Sequence, residues 1–127
     1  MAHPSQSRPM STIQSVARFR IHEGKREEFK TLAARCMQLA REKDKGILRY
    51  EQFFSDDETE CIVYEEYVDS EACIQHFQNM GAAADAIFKT GEVTGEMWGN
   101  PSPGLRKAVE EKGVRIYKPF LSLNGTE

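Results

Sequence analysis

Along "TIQSVARFRI" (residues 12–21), Ile13, Ala17, Phe19 and Ile21 fall on one parity, and Gln14, Arg18 and Arg20 fall on the other. This period of two predicts a strand buried on one side. After "HEG" the period changes. Over residues 25–43, Phe29, Leu32, Ala33, Cys36, Leu39 and Ala40 share one helical face, with Glu27 and Glu28 early and Arg41 and Lys43 late, as the helix dipole favours. This helix is expected to end near Gly46 in a left-handed cap. "ILRYEQFF" (47–54) and "ECIVYEEYV" (60–68) are rich in aromatic and β-branched residues, and the short polar "SDDET" between them predicts an antiparallel hairpin. Asp69 or Ser70 is placed to cap a second helix, whose apolar stripe is Cys73, Phe77 and Met80, with His76 one position to its side. Gly81 interrupts it. Since Met80, Ala83, Ala84, Ile87 and Phe88 continue the helical spacing, the helix is expected to kink or restart there. "EVTGEMW" (92–98) reads as a fourth strand, and "PSPG" opens a short helix with Ser102 as cap and Pro103 at its first position. That helix ends near Gly113. A last strand, "VRIYKPF" (114–120), contains Pro119, which cannot donate to a ladder and belongs at an edge.

The order β-α-β-β-α-β, with a helix and strand appended from about residue 101, predicts an α+β fold. It is the ferredoxin-like split βαβ unit, an antiparallel sheet with helices across one face. Strand residues assigned to the opposite parity, Val16, Tyr50, Phe54 and Val63, would leave an aromatic surface in water. An identical partner's sheet would cover it, giving a two-fold homodimer and a dimeric α+β barrel. Residues 1–10 read as a flexible leader, residues 11–123 as one domain and residues 124–127 as a tail.

Composition narrows the function. A chain of 127 residues with 39% hydrophobic and 29% charged residues has the size and balance of one soluble domain with a single core. The net charge of −3, with bases and acids interleaved, argues against a nucleic-acid partner, because counterion release needs clustered Lys and Arg. No apolar run is long enough for a membrane helix, and "MAHPSQSRPM" lacks the apolar middle of a secretory signal. A cytoplasmic protein without a membrane partner is expected. Cys36, Cys61 and Cys73 show no CxxC spacing and suit reduced, packed thiols. His3, His22 and His76 show neither HxxxH nor CxxH spacing, so no metal site is expected.

Tyr50 and Phe54 on the second strand, followed by Glu65, Tyr67, Asp69, Ala72 and His76 from the third strand into the second helix, carry a resemblance. Over about residues 12–98 the chain resembles the antibiotic biosynthesis monooxygenase domain of the dimeric α+β barrel superfamily. The segment "GNPSPGLRKAVEEKGVRIYKPF" is similar to the tail of poorly characterised members. The resemblance implies a homodimer and several possible chemistries: cofactor-free oxygenation of aromatic polyketides, quinol oxygenation, or haem degradation through a helix histidine. Three positions depart from the pattern. Tyr67 stands where the family often has Trp, residues 77–90 contain no second His, and Gln14 or Ser15 stands where several oxygenases use Asn. The missing histidine sets the haem branch aside. What the resemblance then implies is a cofactor-independent monooxygenase acting on an aromatic phenol or quinol. The rival is a non-enzymatic ligand-binding or assembly module on the same barrel.

Oxygenation without a cofactor needs an apolar pocket for a flat substrate, a base to form its electron-rich anion and a polar group to hold the oxyanion. His76 is the candidate base, because an imidazole titrates near neutral pH. Tyr50, Phe54, Tyr67 and Trp98 are candidates to sandwich a planar ring. Glu65 shares parity with Tyr67 and faces away from Glu66, and Arg18 is a candidate partner for Glu65 or for an oxyanion. The plainer alternatives are a packed histidine, an aromatic core and a surface salt bridge.

Overall fold

The computed structural model describes residues 8–124, so the expected leader up to residue 7 and the tail from residue 125 lie outside the described residues. The alternating segment forms β1 (Ile13–Ile21) and the amphipathic one α1 (Arg26–Lys43). The hairpin forms β2 (Ile47–Phe54) and β3 (Glu60–Tyr67). There follow α2 (Ser70–Met80), α3 (Ala82–Phe88), β4 (Gly91–Trp98), α4 (Pro103–Glu110) and β5 (Arg115–Tyr117). The sheet order is β2-β3-β1-β4-β5. The first four strands pair antiparallel, as the split βαβ unit requires, whereas β5 pairs parallel with β4. The sheet is therefore mixed. A parallel neighbour needs a crossover connection, and α4 provides it.

Local chemistry explains most element ends. The Asp69 carboxylate accepts from the Ala72 N–H at 2.9 Å and starts α2, and the Ser102 hydroxyl accepts from the Leu105 N–H and starts α4 with Pro103 in its first turn. At Gly81, with φ of +47°, the helix stops and restarts as α3. Gly46 does not make the left-handed cap expected of it. The cap of α1 is Asp44, in extended conformation at φ −76° and ψ 135°. Glycine is needed at 46 for space, since a Cβ there would lie 2.5 Å from the Ala72 Cβ and 2.9 Å from the Val68 Cγ2. The entry of β2 thus lies directly against the first turn of α2.

The helices cover one face. Phe19, Phe29, Ala33, Cys61, Val63 and Ile87 form one part of the core, and Ile13, Tyr67, Cys73, Met97, Leu105 and Val109 form another. Cys36, Cys61 and Cys73 are buried and free, as expected of packed thiols.

The register corrects the expected assignment of faces. Tyr50 pairs with Glu65, Phe54 with Cys61 and Ala17 with Val63, so Tyr50, Phe54 and Val63 look toward the helices. An irregularity between Ile47 and Arg49 offsets β2. Val16 does lie on the opposite face, together with Phe53, Ile62, Tyr64 and Trp98. No helix among the described residues is long and apolar enough to cross a membrane.

Candidate functional site

Against β2 and β3, α2 turns a different side inward from the one its hydrophobicity suggests. Its buried residues are Cys73, His76 and Met80, while Phe77 stays at the rim, 38% exposed. His76 is only 3% exposed. The price of burying an imidazole is met by polar partners. Its Nδ1 lies 2.5 Å from Asp44 Oδ2, and the Asn79 amide donates to Asp44 Oδ1 at 2.7 Å. The Asp44 side chain is equally buried, at 3% exposure.

Aromatic rings enclose the imidazole. Tyr50 meets it edge-on with centroids 5.3 Å apart, Tyr67 lies at 5.6 Å and Phe77 at 6.0 Å. Nε2 faces β3, where Glu65 Oε1 lies 3.7 Å away, too far for a hydrogen bond. Glu65 accepts a hydrogen bond from the Tyr67 hydroxyl.

Burial dominates the electrostatics of this group. It raises the Glu65 carboxyl above its ordinary range, against the opposing pull of His76 and the Tyr67 hydrogen bond and with a smaller push from Asp44. Burial first, and then the charge of Glu65, raise the Tyr50 and Tyr67 hydroxyls and the Cys73 thiol. A thiol held in its protonated form is a poor nucleophile, which agrees with packing as the role of Cys73. The arrangement combines an imidazole, a carboxyl raised by burial and two phenol hydroxyls in a buried, aromatic-lined place. Such a group of residues can accept a proton and donate hydrogen bonds to a polar oxygen.

Of the residues singled out in the sequence, His76, Tyr50, Glu65 and Tyr67 come together. Phe54 shares their face of the sheet but packs on Phe29, with centroids 5.9 Å apart, beneath the Lys30 ammonium. Arg18 points to the other face and pairs with Glu60 at 3.5 Å, so it neither meets Glu65 nor reaches this group. Glu66 is on that face too, bound by Arg8 at 2.7 Å and Arg49 at 3.5 Å. Trp98 also lies there, donating to Glu96 at 2.8 Å, beside Gln14, whose amide donates to the Tyr64 hydroxyl at 2.5 Å. With Thr12, Gln14, Tyr117 and Leu121, Trp98 lines a cleft of about 220 Å³ that does not include His76. Parity separates both residues from the histidine, because neighbours across antiparallel strands share a face. Asp44 and Asn79 were missed. Asn79 had a weak signal, standing three residues after His76 on the same helix, but Asp44 sits in the charged run "REKDKG", which reads as a solvated helix end.

The fold agrees with what comparisons with known proteins find. Among curated proteins, none is significantly similar in sequence to the chain. Solved structures share the fold. MupZ from Pseudomonas fluorescens superposes with a TM-score of 0.78 at 20% identity, over 88% of this chain and 93% of that one. SnoaB, a cofactor-independent oxygenase from Streptomyces nogalater, gives a TM-score of 0.62 at 18% identity, over 72% and 95% of the two chains. A putative antibiotic biosynthesis monooxygenase from Caulobacter crescentus CB15 gives 0.64 at 21% identity, over 73% and 92%. The sequence model of the antibiotic biosynthesis monooxygenase family matches residues 12–87, which span β1 through most of α3 and include Asp44, Tyr50, Glu65, Tyr67 and His76. With more than half of its length matched, the chain belongs to the antibiotic biosynthesis monooxygenase family.

Proposed function

We propose that the protein is a cofactor-independent monooxygenase of an aromatic phenol or quinol, with His76 as the base. The observation that carries this reading is a buried imidazole enclosed by Tyr50, Tyr67 and Phe77 beside a carboxyl raised by burial. In the proposed reaction Nε2 takes the proton of the substrate hydroxyl, and the resulting anion is electron-rich enough to reduce oxygen. One oxygen atom joins the ring and the other leaves as water, so that a phenol and O₂ give a quinone and water. The substrate supplies all the electrons. Glu65 and Tyr67 are the groups placed to hydrogen-bond the oxygen that carries the developing charge. Phe77 is the exposed member of the aromatic enclosure, on its solvent side.

The low exposure of His76 and the separate position of the 220 Å³ cleft favour a second reading, a ligand-binding or assembly module. Oxygen-uptake screening of metal-stripped protein against hydroquinones and polyphenols separates the two. The oxygenase reading expects uptake that saturates with at least one substrate and is absent from a His76→Asn variant. Background-level uptake across the panel gives way to the module.

The proposed state is a cytoplasmic homodimer. Its motive is the sheet face without helices, where Phe53 is 56% exposed and Ile62, Tyr64 and Trp98 are half-buried. Light scattering is expected to give twice the chain mass at micromolar concentration, and a single-chain mass would overturn the assignment.

A further inference from the structure

We infer that Asp44 is the positioning residue of this site: braced by Asn79, it holds His76 as the Nδ1–H tautomer and so leaves the lone pair of Nε2 facing Glu65. The inference deepens the proposal that His76 is a base and rests on it for the catalytic part alone. A neutral imidazole carries one N–H, and an ionised carboxylate oxygen can only accept. With Nδ1 2.5 Å from Asp44 Oδ2, the proton therefore belongs on Nδ1. The carboxylate has little freedom to turn away. Its other oxygen takes the Asn79 amide at 2.7 Å, the side chain is 3% exposed, and its backbone N–H caps α1 by donating to the Ala40 carbonyl. Nε2 lies 3.7 Å from Glu65 Oε1, beyond hydrogen-bond distance, and that carboxyl accepts from the Tyr67 hydroxyl. The end of α1 and the middle of α2 thus determine together which nitrogen is basic. The tautomer follows from a contact between helices.

The test is ¹⁵N NMR of protein labelled at histidine, recorded at about pH 8, where an unperturbed imidazole is neutral. His76 is assigned by the loss of its signals in His76→Asn. In the wild type, Nδ1 is expected to show the shift of a protonated ring nitrogen and Nε2 that of an unprotonated one. In Asp44→Asn, the Asn79 donor keeps the new carbonyl on its side and turns the new NH₂ toward Nδ1, so the tautomer is expected to flip. In the same variant kcat for oxygen uptake is expected to fall about 100-fold or more with little change in KM, the pattern of a misoriented base. A wild-type ring protonated on Nε2, or an unchanged tautomer in Asp44→Asn, overturns the inference. Should Asp44→Asn not fold, the wild-type spectrum and that of Asn79→Ala, in which the Nδ1 proton is expected to stay, still decide it. If the tautomers behave as expected while the wild type takes up no oxygen with any phenol, the Asp44 assignment is supported and only the oxygenase reading falls.

Discussion

Replacing His76 with alanine is expected to lower folding stability by about 3 to 5 kcal/mol, because it leaves the buried Asp44 carboxylate without one of its two side-chain donors and opens a cavity under the sheet. For a domain of this size the melting temperature is expected to fall by about 10 to 20 °C. The same change removes the proposed base, so turnover is expected to fall about 10²- to 10⁴-fold. A catalytic role and a packing role therefore do not exclude each other at this position, and alanine alone cannot separate them. His76→Asn does separate them, since its amide nitrogen lies near the place of Nδ1 and can still donate to Asp44, while nothing replaces Nε2. Calorimetry is expected to find most of the stability retained in this variant, and oxygen uptake is expected to find the activity lost. Full turnover in His76→Asn would return the histidine to a purely structural role. A melting temperature unchanged in His76→Ala would show that the Asp44 pair contributes nothing to the fold.

The second large effect concerns Glu65. Its carboxyl is raised above the ordinary value of 4.5, chiefly by burial, so above that pH the folded protein keeps a proton that the unfolded chain releases. Stability changes with pH in proportion to the protons bound by the unfolded state minus those bound by the folded state, and here that difference is negative. Wild-type stability is therefore expected to fall as pH rises above 4.5, by at most about 1.4 kcal/mol per pH unit for one full proton, until Glu65 ionises in the folded state. Glu65→Gln has no proton to lose and can keep a hydrogen bond with Tyr67. Its melting temperature is expected to match the wild type near pH 4.5 and to exceed it increasingly as pH rises, until Glu65 ionises in the folded wild type. His76 and Asp44 are present in both proteins, so the difference between the two curves isolates Glu65 and its coupling to them. Asp57 does not interfere, because hydrogen bonds from Thr59 and Ser55 hold its carboxyl below its ordinary value of 3.8, outside this window. Parallel curves for the two proteins would mean that Glu65 is ionised throughout.

Much of the fold was legible in the chain because short-range physics decides it. The alternation in "TIQSVARFRI" is a local pattern, as are the polar turn between two β-branched runs, the caps at Asp69 and Ser102, and the break at Gly81. Each depends on residues within one or two turns of one another. The family resemblance carried by residues 50–76 brought His76, Tyr50, Glu65 and Tyr67 forward as candidates, and all four meet in space.

Three features needed the tertiary structure. The first is which faces of β2 and α2 look inward. An irregularity near Ile47 offsets the parity of Tyr50 and Phe54, and a strand slipped by one residue exchanges its faces. Helix α2 turns His76 inward although Phe77 is the more apolar neighbour, because Asp44, Tyr50 and Tyr67, from three other segments, satisfy an imidazole that hydrophobicity alone would leave outside. The second is the fate of Arg18 and Trp98, which share the site's sheet and not its face. The third is Asp44. Between Lys43 and Lys45 it has the sequence of a solvated helix end, and its burial comes from a helix 32 residues further along the chain that brings a histidine and an asparagine to its carboxylate. The amino-acid sequence by itself determined the elements, their order and the residue types available for chemistry. Which nitrogen of His76 meets Asp44, and which carboxyl beside it is raised by burial, were decided by contacts between distant segments, since burial and hydrogen-bond partners exist only once the chain has folded.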